Sequence, residues 1–299
     1  MLTKEAFHAL LKTGPMLLDG ATGSNLLAQG MPKGICAEAW ILEHPQVLLS
    51  LQRAYREAGS QILYAPTFQA QPAALAKAGL EDKTEEINAK LVALTRSAAP
   101  SALVAGDLAT LSAYLPGADE ESFDQLVENY RRQFRGLIDG GADLFVAETL
   151  IYAQEAEAVM TAAELEGAET VIYSFVLGPG GTLCFGADAM PIFRELERGG
   201  AAAVGFNCVA ASENLPALTA KLRRQLTGPI LCKPNAGVPA VREDGTVVYP
   251  MGKDQFAEIL TACAEEGAAL LGGCCGTTPE YLAACRARLQ AKGFFSNTF

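Results

Sequence analysis

Histidine is almost missing from this chain, with two residues, His8 and His44, in 299. A site built on several histidines is thereby excluded, and a histidine-based catalytic triad has little to draw on. Any transition-metal site must use mainly sulfur and carboxylate. Basic charge is short as well: 23 lysines and arginines face 34 acidic residues, a net charge of −11. That balance argues against broad contact with a phosphate backbone, which needs a basic surface. Long apolar runs are absent too. None reaches the roughly 18 to 20 residues of a membrane span. The opening "MLTKEAFHALLKTG" mixes charge into an amphipathic pattern, where a signal peptide is continuously apolar. We therefore expect a cytoplasmic protein with no nucleic-acid or membrane partner.

What is present can build a large core, since 50% of residues are hydrophobic and 19% charged. The length suits one large domain or two small ones. Eight cysteines occur, at positions 36, 184, 208, 232, 263, 274, 275 and 285. In a cytoplasmic chain of this size, burial, catalysis or metal binding are expected of them before disulfides.

Eight short apolar runs recur, each followed by a helix-like stretch. They are "MLLDGAT" from Met16, "QILYAPTF" from Gln61, "ALVAGDL" from Ala102, "DLFVAET" from Asp143, "TVIYSFVL" from Thr170, "AAVGFNC" from Ala202, "PILCKPNAG" from Pro229 and "ALLGGCC" from Ala269. Continuous apolar runs fit strands buried on both faces. Between them, Ile87, Leu91 and Leu94 share one helical face, with Asp82 and Glu85 placed to cap it. Phe123, Leu126, Val127, Tyr130, Phe134 and Leu137 share another, which should stop at Gly140-Gly141. Eight βα units predict an α/β fold, a single (βα)8 TIM barrel over residues 1–299, with an open doubly wound sheet as the alternative. Residues 1–14 are expected to form a helix closing the barrel floor, and 293–299 a loose tail. The "LGPGG" stretch from Leu177 fails as G-x-G-x-x-G, because Leu183 holds the third glycine position, so no Rossmann nucleotide site is expected.

The chemistry-bearing residues fall at strand ends. Cys208 closes the sixth run, and Cys274 and Cys275 the eighth. In a barrel these ends face one mouth. Adjacent cysteines do not readily bond each other, because a vicinal disulfide is strained. They can share a zinc ion with a third thiolate, leaving a fourth position open for an incoming thiol and S-alkylation. The other reading makes them small buried residues at a tight turn. A purely structural zinc site would need a fourth protein ligand, which the shortage of histidine makes hard to find. Asp19 and Glu148 close the first and fourth runs. They can act as general acid and base, grip an ammonium group, or simply cap helices. Asn207 and Asn235 add polar groups at the same level, and the turn from Gly20 to Ser24 offers backbone N–H groups to a carboxylate. The remaining five cysteines are expected to pack or to lie exposed.

"LDGATGSNL", "AET", "FNC", "KPNAG" and "GGCCGTTPEY" resemble, in that order, the homocysteine S-methyltransferase family. "GLEDKTEEIN" and "GLIDGGADLFVAET" are more similar to the homocysteine-binding module of cobalamin-dependent methionine synthase than to betaine-type members. The resemblance implies a (βα)8 barrel, zinc held by Cys208, Cys274 and Cys275, and homocysteine sulfur at the open position. It further implies that Asp19 and Glu148 hold the homocysteine amino group and that Asn235 lines the pocket. The expected product is methionine. The expected donor is a corrinoid or folate supplied by another protein, such as methylcobalamin on a corrinoid protein, since D-x-H-x-x-G is absent. The alternatives are a sulfonium or betaine donor, or a chain that only presents homocysteine within a larger assembly. The second run departs from the methionine-synthase pattern at Tyr64, Pro66 and Gln69, on the expected pocket wall.

Overall fold

The computed structural model describes residues 1–115, 120–178, 180–183, 186–242 and 245–295. Its strands are β1 (Met16–Leu17), β2 (Ile62–Tyr64), β3 (Leu103–Ala109), β4 (Leu144–Leu150), β5 (Val171–Phe175), β6 (Ala203–Ala210), β7 (Ile230–Asn235), β8 (Ala240–Val241), β9 (Val247–Val248) and β10 (Ala268–Leu271). Eight of them form one parallel sheet in the order β1-β10-β7-β6-β5-β4-β3-β2, and each overlaps one of the apolar runs. The two ends of that order meet. Leu18 bridges Ile62 in parallel, and the Gln61 N–H donates to Leu17 O at 2.7 Å. The sheet is therefore a barrel rather than an open doubly wound sheet.

Side-chain parity divides the barrel into an inside and an outside. Along β4, Leu144 and Val146 pack inside with Leu18, Ile62, Ala105, Ile172 and Leu231. Their neighbours Phe145 and Ala147 pack outward against the helices. Burying each large apolar side chain contributes roughly 1.5 to 3 kcal/mol, so the strands must be apolar on both faces. The inner parity continues past these residues to Tyr64, Asp107, Glu148, Asn207 and Lys233. Apolar filling thus gives way to polar groups near the carboxyl ends of β2, β3, β4, β6 and β7.

Helix Lys4–Leu11 starts at Thr3, whose hydroxyl accepts the Ala6 N–H at 3.2 Å. It drives Phe7 into the inner cluster from the amino-terminal end. His8 is used here, its Nε2 2.8 Å from Ala202 O. His44 stacks on Trp40 at 4.5 Å between ring centroids. Helix Glu120–Asp139 buries Leu126, Val127, Tyr130, Phe134 and Leu137 on one face, and Gly141 turns the chain at φ 82°. The expected cap by Asp82 and Glu85 is not formed. A short 3-10 turn, Glu81–Lys83, leads into helix Thr84–Ala98, and Glu85 instead pairs with Arg132 on the next helix at 2.7 Å. The expected tail is described only as far as residue 295, and Cys184 lies outside the described residues. Among the described residues no helix is long and apolar enough to cross a membrane.

Candidate active site

The strand ends open into a cavity of about 270 Å³. Its walls include Asp19, Tyr64, Asp107, Glu148, Lys233, Cys208, Cys274 and Cys275, with Ala37, Glu38 and Ile41 contributed by helix Ala37–Glu43 and Phe68 and Gln69 by the loop after β2. A larger hollow, about 510 Å³, lies at the other end of the barrel beside Lys4, Glu164 and Tyr173. Glu5, Glu164 and Glu169 line it, but among the described residues no three ligating groups converge there, and in this fold chemistry resides at the carboxyl face.

The three thiols converge. The Sγ atoms of Cys208, Cys274 and Cys275 lie within 4.8 Å of one another. Each arrives by a backbone irregularity. The β6–β7 register shifts between Asn207 and Ala210, and Cys208 sits at φ 55°, a left-handed conformation. For a residue with a Cβ this costs roughly 1 to 2 kcal/mol, and a bulge of this kind re-aims a side chain. Beyond β10 the Gly273 N–H donates to Asp19 O at 3.0 Å and the Cys274 N–H to Pro234 O at 2.7 Å. Glycines flank the pair for steric reasons. A Cβ at Gly273 would lie 2.3 Å from Thr277 Oγ1, and one at Gly276, where φ is 81°, would lie 2.2 Å from Tyr249 Cγ. The turn is tied to the loop after β1: Thr277 O accepts from Asn25 Nδ2 at 2.8 Å and from the Tyr55 hydroxyl at 3.2 Å. The "DGATGSN" and "GGCCGTT" stretches therefore form one clamp.

These donors fit a zinc ion. Tetrahedral coordination at about 2.3 Å puts sulfurs about 3.8 Å apart, inside the 4.8 Å limit of the cluster, and three protein ligands leave one position open. The thiols already share protons unequally. Hydrogen bonds with Cys208 and then Cys274 pull Cys275 down to about 3 against the effect of burial, and the Tyr249 hydroxyl adds a further bond. The same bonds to Cys274 and Cys275 push Cys208 up. Of the other cysteines, Cys232, Cys263 and Cys285 are buried between barrel and helices. Cys36 donates to Glu38 Oε2 at 3.6 Å.

Asp19 and Glu148 both line the cavity, and two charged residues missing from the sequence reading join them: Asp107 on β3 and Lys233 on β7. All four are nearly inaccessible, at 1%, 7%, 5% and 3% exposure respectively. Burial raises Asp19 to about 6 and Glu148 to about 8, with Lys233 opposing both shifts. Burial also pushes Asp107 well up, reinforced by Glu148. For Lys233 burial works against the ammonium, yet Glu148, Asp19, Cys274 and Asp107 together hold its pKa above the ordinary lysine value. Its Nζ lies 3.7 Å from Asp19 Oδ1 and 4.6 Å from the centroid of the Tyr64 ring. The signal for both missed residues was a lone charge inside an apolar strand run, on the inner parity.

Asn207 and Asn235 are placed differently from the carboxylates. Asn207 is fully buried. Its Oδ1 accepts from Thr149 N at 2.9 Å and Ser174 Oγ at 2.7 Å, while Nδ2 donates to Thr149 Oγ1 at 2.8 Å and Glu148 Oε2 at 3.4 Å. Thr149 has a positive φ of 61°, so Asn207 holds a strained bulge that aims Glu148. Asn235 is buried at the end of β7, with its Oδ1 unpartnered.

A family model described as homocysteine S-methyltransferase matches residues 16–289. A homocysteine S-methyltransferase from Escherichia coli K12 is 30% identical, over 96% of this chain and 100% of that protein. Methionine synthase from Mycobacterium tuberculosis is 27% identical over 89% of this chain, which spans only 24% of that protein's length. A crystal structure of the E. coli homocysteine methyltransferase MmuM in a metallated form superposes with a TM-score of 0.81, over 94% of this chain and 99% of that one, at 30% identity. The chain belongs to the homocysteine S-methyltransferase family.

Proposed function

We propose that this chain is a zinc-dependent methyltransferase that delivers a methyl group to the sulfur of homocysteine, giving methionine. The observation that carries the reading is the meeting of three thiols with buried carboxylates in one cavity sized for a small amino acid. Cys208, Cys274 and Cys275 would hold the ion. An ion held there would favour the thiolate form of an acceptor thiol at neutral pH, and the three thiolate ligands would keep that sulfur electron-rich.

The remaining tasks fall to the protein's own groups. Asp19 and Glu148 supply negative charge for the substrate ammonium. The turn from Gly20 to Ser24, on the same wall, offers backbone N–H groups to its carboxylate. Tyr249 steadies Cys275 by donating to it. Ile41 and Phe68 keep water from the reacting sulfur. The sulfur then attacks the donor's methyl carbon in line, and the bond to the donor breaks with its electron pair leaving on the donor.

Asp19→Asn and Glu148→Gln are each expected to weaken homocysteine by roughly 2 to 5 kcal/mol, the cost of unpairing a buried charge. The same changes should leave 4-mercaptobutanoate, which lacks only the amino group, nearly unaffected. Binding titrations with both thiols check this, and equal weakening of the two would reassign these residues to structural roles.

A corrinoid or folate donor brought by another protein, as expected from sequence, must reach the thiols past the helix and loop over the mouth. A second reading takes a small sulfonium donor, and one observation favours it. Helix Ala37–Glu43 is part of the cavity wall, pinned by Glu38 Oε1 accepting the Gln69 N–H at 2.9 Å. A small donor fits beneath that roof without breaking the bond. Methyl-transfer assays with homocysteine and S-methylmethionine, S-adenosylmethionine, betaine, methyl-folate and methylcobalamin, free and protein-bound, decide between them. Turnover with a sulfonium alone supports the small donor; turnover with protein-bound methylcobalamin alone removes it.

A further inference from the structure

The cavity holds more carboxyl groups than its lysine can answer. Asp19, Asp107 and Glu148 face it together with Lys233. Asp19 is already engaged, with Oδ2 accepting the Tyr64 N–H at 2.8 Å and Oδ1 3.7 Å from Lys233 Nζ. Asp107 has neither contact: among the described residues its Oδ1, like Asp19 Oδ1, lacks a hydrogen-bond partner although the residue is buried, and no lysine or arginine pairs with it. A buried polar atom left unpaired is costly, and a ligand group is one of the few things that explains it.

The side chain is not needed to hold β3. The Asp107 backbone is fixed independently: its N–H donates to Thr67 Oγ1 at 3.0 Å, and its carbonyl accepts from Thr67 Oγ1 at 2.8 Å and Gln133 Nε2 at 3.1 Å. Asp107 pairs with Val146 across β3 and β4, so Glu148 lies two residues further along the adjacent strand on the same inner face. Strands about 4.8 Å apart, rising about 3.3 Å per residue, put the two Cα atoms about 8 Å apart. An ammonium group with three donors bridges two carboxylates across such a gap by hydrogen bonds of about 2.9 Å.

We propose that Asp107 is a third substrate-binding carboxylate, joining Glu148 and Asp19 around the acceptor's ammonium, with Asp19 shared between that ammonium and Lys233. The proposal rests on the amino-thiol acceptor reading above and narrows the acceptor to thiols bearing a primary ammonium. The bound state then sets two cations against three carboxylates instead of one.

The test uses the full chain, with Asp107→Asn compared with wild type. Binding of homocysteine and of 4-mercaptobutanoate is titrated, and each protein's ligand-free melting temperature is recorded. Asparagine keeps the shape of the side chain and removes its charge. Homocysteine should bind about 10- to 100-fold more weakly to the variant, 4-mercaptobutanoate about as before, and the ligand-free melting temperature should be unchanged or higher. Unchanged homocysteine affinity would overturn the proposal, as would equal losses for both thiols accompanied by a lower melting temperature, which mark a structural residue. Wild type that binds the two thiols equally would refute the ammonium subsite itself. Wild type that binds neither would overturn the acceptor reading and this subsite with it.

Discussion

Alanine at Cys208, Cys274 or Cys275 is expected to leave the purified chain nearly free of zinc. The content should fall from about one ion per chain to below roughly a tenth, and methyl transfer should fall with it. Each change deletes one of three thiolates that already lie within 4.8 Å of one another. Two remaining sulfurs cannot close a tetrahedral site, and His8 and His44 cannot replace the third, since both are occupied elsewhere in the fold. The loss should be chemical rather than structural. All three side chains sit at strand ends beside the cavity, where removing one sulfur leaves little void in the packed core. Cys232→Ala and Cys263→Ala should behave in the opposite way. Both side chains are fully buried between barrel and helices, so truncation costs about 1 to 2 kcal/mol of stability through the cavity left behind, while zinc is retained. Metal analysis beside thermal melting separates the two classes. Unchanged metal content in all three of the first set would remove the site.

Much of this was legible in the sequence, for physical reasons. The barrel could be read because strands buried on both faces must be apolar throughout, and eight such runs alternate with amphipathic helices. The thiol cluster could be read because a vicinal pair between glycines has few other uses, and because closing the barrel brings β6 and β10 to one mouth. The polar layer was harder. Asp19 and Glu148 were found because they end their strands next to turn residues. Asp107 and Lys233 stand inside "AGDL" and "LCKPN", where a charge looks like an interruption. Only the inner parity set by Ala105 and Leu231 shows that both face the axis. Asn207 was visible as a polar strand end, but its hold on Thr149 across two strands is a tertiary fact that no local pattern carries. The cap by Asp82 and Glu85 failed for the same kind of reason. Arg132, on another helix, offers the Glu85 carboxylate a better partner than the backbone does.

Lys233→Met should give the largest stability effect, and its sign should depend on pH. Methionine keeps most of the volume of the buried stem and removes the charge. Asp19 and Glu148 have folded pKa values of about 6 and about 8, above their ordinary values of 3.8 and 4.5. A carboxyl raised on folding holds a proton in the folded state that the unfolded chain has released, so stability falls as pH climbs from the unfolded value to the folded one. Lys233 lowers both folded values, and removing it raises them further and extends that unfavourable window upward. At pH 5 both carboxyls are already largely protonated in the folded wild type. Lys233 is then a buried ammonium with few anionic partners, and replacing it should be neutral or stabilising. Near pH 8.5 the wild type carries the ionised groups against the lysine, and the variant must either keep the protons or bury unpaired charge. A loss of about 3 kcal/mol is expected there, the scale of a buried pair stripped of one member. Urea titrations at the two pH values, with a chelator present throughout so that no bound ion alters the charge balance, measure the difference. Equal destabilisation at both would mean that Lys233 acts through its stem packing and its ammonium contact with the Tyr64 ring rather than through the titrating carboxylates.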